Sequence, residues 1–85
     1  MSFEKAKTMI KELMNVVLKV DLPDHGLKRG DIGTVVLAHH QAKGYEVEFV
    51  TLGGETVAVV TLLASQVRLV GKREIAHARA VAVNA

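Results

Sequence analysis

Cysteine and tryptophan are absent from these 85 residues, proline occurs once, and aromatic side chains make up only 4%. Without cysteine there is no thiolate nucleophile, no disulfide and no sulfur ligand for a metal. With Phe3, Tyr45 and Phe49 as the only aromatics, no ring-lined ligand groove can be assembled. The core must therefore come from Val, Leu, Ile, Ala and Met. No uncharged run approaches the ~20 residues that a membrane span needs. Residues 2–14 are broken by Glu4, Lys5, Lys7, Lys11 and Glu12, which leaves no apolar signal-peptide core. A cytoplasmic chain with no membrane partner is the expectation.

A block of one charge is missing too. The net charge is +2, but it sits at the ends: Lys72, Arg73 and Arg79 outnumber Glu74 in residues 71–85, and three lysines outnumber two glutamates in residues 1–14. Between them, Asp21, Asp24, Asp31, Glu46, Glu48 and Glu55 outnumber Lys19, Lys28, Arg29, Lys43 and Arg68 by one. No phosphate-binding face stands out. The length allows one domain, 1–85. An apolar share of 49% is high for so small a surface-rich chain, so some of it is expected to meet another copy.

What is present is a period of two. Val16, Leu18 and Val20 face one way in a first strand; Ile32 to His39 forms a second. Tyr45, Val47 and Phe49 alternate with Glu46, Glu48 and Val50 in a third. Gly53 and Gly54 turn the chain into a fourth, Thr56 to Leu62. That strand is apolar on both faces, which predicts a central strand with a cover on its second side. Ser65-Gln66 reads as a single helical turn before a last strand, Val67 to Val70. Five strands spaced in this way are similar to an SH3-like barrel over residues 15–70.

Two arms flank that barrel. Ser2 can cap a helix whose apolar residues Phe3, Ala6, Ile10, Leu13 and Val17 recur at three and four, which predicts an amphipathic helical arm over residues 1–14. In the C-terminal arm, residues 71–85, Ala76, Ala78, Ala80 and Ala82 alternate with larger side chains as in a strand, while alanine also favours helix. Both conformations stay open.

The segment from Asp21 to Gly33, DLPDHGLKRGDIG, reads as an ordered polar loop. Pro23 holds Leu22 extended, and Gly26, Gly30 and Gly33 offer positions for positive φ or a close backbone approach. Asp31, Asp21 and Asp24 can accept backbone N–H bonds there. Asp21, Leu22, Pro23, His25, Leu27, Lys28, Gly30, Asp31, Gly33, Val35 and Val36 together follow the order D-L-P-x-H-x-L-K-x-G-D-x-G-x-V-V. With the later runs YEVEFVTLGGETVAVVTL and REIAHAR, the chain resembles an uncharacterised family of small bacterial proteins, domain of unknown function 4926, over roughly residues 15–80. The resemblance implies no activity, since the family has none established.

No catalytic signature is found. His25, His39 and His40 could ligate a metal, but adjacent His39 and His40 would point to opposite faces of a strand and no further ligand stands at metal-site spacing. Surface histidines are the simpler reading, and no cofactor is expected. Glu46 and Glu48 share a strand face without any nucleophile, so a solvated face is preferred. The sequence therefore points to a non-enzymatic protein-interaction module. It would bind an unidentified protein through Asp24, His25, Lys28 and Arg29 on the 21–31 loop, and self-associate through Phe3, Ile10, Leu13 and the strand around Ala58. The alternative is a nucleic-acid-binding barrel of the KOW type, with Lys28, Arg29, Lys72, Arg73 and Arg79 on phosphates.

Overall fold

The alternating segments form five antiparallel strands of one sheet in a computed structural model that describes residues 10–40 and 43–82. They are β1 (Asn15–Leu18), β2 (Ile32–Ala38), β3 (Gly44–Val50), β4 (Thr56–Leu63) and β5 (Val67–Leu69). Their order across the sheet is β4-β3-β2-β1-β5. Single 3-10 turns stand at Pro23–His25 and Ala64–Gln66, and no α-helix occurs among the described residues.

β2 serves two neighbours in succession. Its first residues pair with β1, Ile32 opposite Val17 and Thr34 opposite Asn15. From Thr34 onward it pairs with β3, ending with Ala38 opposite Tyr45. A register shift between Val35 and Leu37 leaves Val36 as an extra residue, and such a bulge bends a strand and increases its twist. The inward residues Val16, Leu18, Val35, Tyr45, Val47, Phe49, Val60, Leu62 and Val67 make one buried cluster, joined by Leu27 from the 21–31 loop.

The glycine at position 33 has no positive φ, unlike Gly26 and Gly30, and no backbone crowds it. What crowds it is side chain: a Cβ there would lie 2.6 Å from Val47 Cγ1 and 2.8 Å from Phe49 Cε1. Gly33 is thus the gap through which two core side chains meet the backbone of β2.

Three expectations are corrected. Residues 1–9, including Phe3, lie outside the described residues, and residues 10–14 of the expected helical arm form no helix, with a turn at Glu12-Leu13. Leu13 takes φ +73°, its N–H donates to the Val35 carbonyl, and the Met14 carbonyl accepts from Val35 N–H. These backbone groups join the sheet ladder, so they cannot make helical bonds. Nor is β4 central. It is an edge strand, with Val60 and Leu62 buried while Val59 and Leu63 are 54% and 61% exposed. Over its described residues the C-terminal arm is neither strand nor helix: after a turn at Lys72-Arg73, residues 74–82 run on without turn or bend.

Candidate functional site

The 21–31 loop is built by its own short-range hydrogen bonds. Leu22 and Leu27 pair in both directions, at 2.9 and 3.1 Å, around the Pro23–His25 turn, and Gly26 closes it with φ +69°. Leu27 is buried and plugs the loop into the core. At the base, Gly30 N–H donates to the Leu18 carbonyl and Leu18 N–H to the Asp31 carbonyl. Two carboxylates staple the remainder: Asp21 Oδ1 accepts Arg29 N–H and Asp31 Oδ2 accepts Lys28 N–H, each at 2.8 Å. The loop is therefore ordered, with Asp24, His25, Lys28 and Arg29 all exposed on it. These four side chains share one loop, and their side-chain atoms take no part in the bonds that hold it.

A second element reaches this loop from far along the chain. Arg79 lays its guanidinium across Asp31, Nε to Oδ1 at 2.8 Å and Nη2 to Oδ2 at 2.5 Å. Nη2 also donates to the Gly26 carbonyl at 3.0 Å. The paired N–H groups of arginine match the two oxygens of a carboxylate, which gives such contacts direction as well as energy. Burial raises the Asp31 pKa, but the Arg79 hydrogen bond, the Lys28 N–H and both cationic side chains outweigh it, so the carboxyl sits below its ordinary value.

Where the arm leaves β5 a second clamp fixes its direction. Arg68 holds Glu74 through two bonds of 2.9 and 2.7 Å, and Gly71 N–H donates to the same carboxylate. The Arg68 and Gly71 donors pull the Glu74 pKa down to about 2. A carboxylate whose folded pKa is depressed stabilises above its unfolded value and loses that contribution as pH falls through the folded one. Both clamps are therefore expected to hold at neutral pH. The Glu74 clamp should open as pH falls from 4.5 toward about 2, and Asp31 should release Arg79 in the acid range below 3.8. Side-chain carboxyl carbon shifts of Glu74 and Asp31, followed by NMR through an acid titration with the amide pattern of β1–β5 retained, check this: midpoints at the ordinary carboxylate values would mean that the clamps do not form.

Between the two clamps the arm forms a strap over a cavity of about 500 Å³. The floor is Leu27, Ile32, Phe49 and Val57; Ala76, Ala78 and Ala80 lie on the strap side. A mainly apolar cavity with the Asp31 carboxylate, Thr51 and His77 among its lining residues can take an apolar group beside a cation.

The remaining candidates are dispersed. His39 Nε2 lies 2.9 Å from Glu46 Oε2, and Thr61 Oγ1 donates to both Glu46 oxygens; these bonds, Thr61 first, lower the Glu46 pKa. Glu48 accepts from Thr56. Both glutamates thus serve cross-strand bonding on the outer face. His25 and His40 are exposed. Among the described residues no three His, Cys, Asp or Glu side chains gather that could hold a metal ion. Of the residues expected at an interface between copies, Leu13 is 82% exposed, while Ile10 and Ala58 pack partly against the core. Among the described residues, no helix is long and apolar enough to cross a membrane. The Arg79–Asp31 pair was not foreseen, since the sequence offers no signal that links positions 48 apart.

A family model described as a domain of unknown function, DUF4926, matches residues 12–69. The matched span holds all five strands and the 21–31 loop and ends before the strap, so the Arg73–Arg79 run included in the sequence resemblance lies outside it. No curated protein and no solved structure matches the chain.

Proposed function

This chain belongs to the DUF4926 family, and on that premise we propose that it is a non-enzymatic protein-interaction module that meets its partner through the 21–31 loop. The observation that carries this reading is the loop's treatment of Arg79: an ordered backbone presents a carboxylate and a carbonyl that together seat a side chain from a distant segment. A loop made for structure alone needs only the Asp21 and Asp31 staples. Polar groups on a rigid loop are also where recognition tends to sit. The strand order, with β2 shared between β1 and β3, supports an SH3-like barrel as the scaffold. A cytoplasmic setting belongs to the same proposal.

Self-association is the second half of the proposal. Among the described residues β4 ends the sheet, with Val59 and Leu63 exposed on it, and a second copy adding its own β4 would pair the backbone groups of that edge. Light scattering after size exclusion is expected to give a dimer at high micromolar concentration, and a strict monomer there removes this half. For the partner, Lys28→Ala and Arg29→Ala are expected to change stability by less than about 0.5 kcal/mol because their hydrogen bonds in the loop run through the backbone, which the substitutions keep. Both should weaken capture of the partner from a native extract. If a nucleic acid is captured instead, with affinity falling steeply as salt rises, the phosphate-binding alternative replaces this reading. Arg79 would then have to leave Asp31 to serve it.

A further inference from the structure

The strap closes its cavity incompletely. Arg79 makes three contacts at the rim, while Ala76, Ala78 and Ala80 line the cavity beside His77 and Val81. Three of the strap side chains facing the apolar floor thus end at a methyl group, and about 500 Å³ stays open. Between the Glu74 and Arg79 clamps the strap is held loosely: residues 75–78 join no strand, and Ile75 is 94% exposed. At the cleft itself the segment is seated by one guanidinium over an incompletely filled apolar floor, which makes it a weak occupant there, because dispersion contacts and buried apolar area are both forfeited.

Resting on the interaction-module reading above, we infer that the cleft is the docking site for an extended, arginine-bearing segment of a partner protein with a large aliphatic side chain beside its arginine. The chain's own strap is a placeholder in that site. Charge complementarity fixes the cation: Asp31 and the Gly26 carbonyl supply three acceptor contacts in the arrangement of a guanidinium fork, which lysine cannot reproduce. The aliphatic floor fixes the neighbour. Tethering keeps the strap at a local concentration on the order of millimolar, so an incoming segment must compete with it, and the added apolar contact supplies its advantage.

Fluorescence anisotropy tests this with the full chain and a labelled peptide of sequence 74–82 in which Ala78 is replaced by leucine. The Arg79→Ala protein, with its strap unlatched, is expected to bind this peptide at least tenfold more tightly than the unaltered protein. Replacing the peptide's arginine with citrulline, or its leucine with the original alanine, should each weaken binding at least tenfold. Asp31→Asn should weaken it too. The citrulline comparison needs no protein variant and so holds whether or not a substitution disturbs folding. Equal affinity for both proteins overturns the placeholder role, and equal affinity for both the arginine and citrulline peptides, or no binding to Arg79→Ala, overturns the cleft as an arginine site. If the cleft fails while Lys28→Ala and Arg29→Ala still weaken partner capture, the broader interaction reading survives alone.

Discussion

Gly33→Val is expected to destabilise the domain by about 3 kcal/mol, a large share of a total on the order of 5–10 kcal/mol. Even a single added carbon would meet Val47 Cγ1 at 2.6 Å and two Phe49 ring atoms at 2.8 and 2.9 Å. Neither neighbour can withdraw, because Val47 and Phe49 are buried in the central cluster. Gly33 also pairs with Val16 across β1, so the backbone cannot retreat without breaking a ladder. Urea denaturation of the two proteins measures the difference. Gly30→Ala is the control: φ is +96° there but the space is open, so only backbone strain of about 1–2 kcal/mol applies. Equal costs at both positions would mean that crowding beneath β2 is not what requires a glycine.

Phe49→Ala is expected to cost about 3–5 kcal/mol by thermal or urea unfolding, from lost burial plus the cavity left behind. Phe49 is one of three aromatics in the whole chain and contributes to both the core and the floor of the strapped cleft. Its removal also relieves part of the crowding at Gly33. A double-mutant cycle should therefore show Gly33→Ala costing less in the Phe49→Ala background than alone, by about 0.5 kcal/mol or more. Strict additivity would sink the contact between these positions as an energetic one.

The strands were legible because their cause is local. Tyr45, Val47 and Phe49 alternate with Glu46 and Glu48, and a two-residue period leaves one conformation that buries the first set and wets the second. Asp21 and Asp31 were legible as loop staples for a similar reason, since their N–H partners lie 8 and 3 residues away. The helix expected over residues 1–14 is not formed at residues 10–14, where local spacing competed with a distant strand. Ile10, Leu13 and Val17 keep helical intervals, yet Leu13 and Met14 spend their backbone groups on Val35. An apolar run such as Thr56 to Leu62 cannot announce whether both its faces are covered, and here the sheet order places it at an edge. Arg79 was beyond reach for the plainest reason: its acceptors lie 48 and 53 residues away, and no periodicity connects an irregular arm to a loop.

The unequal edges of the sheet have a consequence for assembly geometry. Among the described residues, β4 ends the sheet with eight residues and β5 with three. If β4 docks against the β4 of a twin, the contact is isologous and its two-fold axis uses up the long ribbon of both molecules at once. What then faces outward on either flank is a β5 stub too short to template another strand. Growth would then stop at two, and the same asymmetry would guard against fibres.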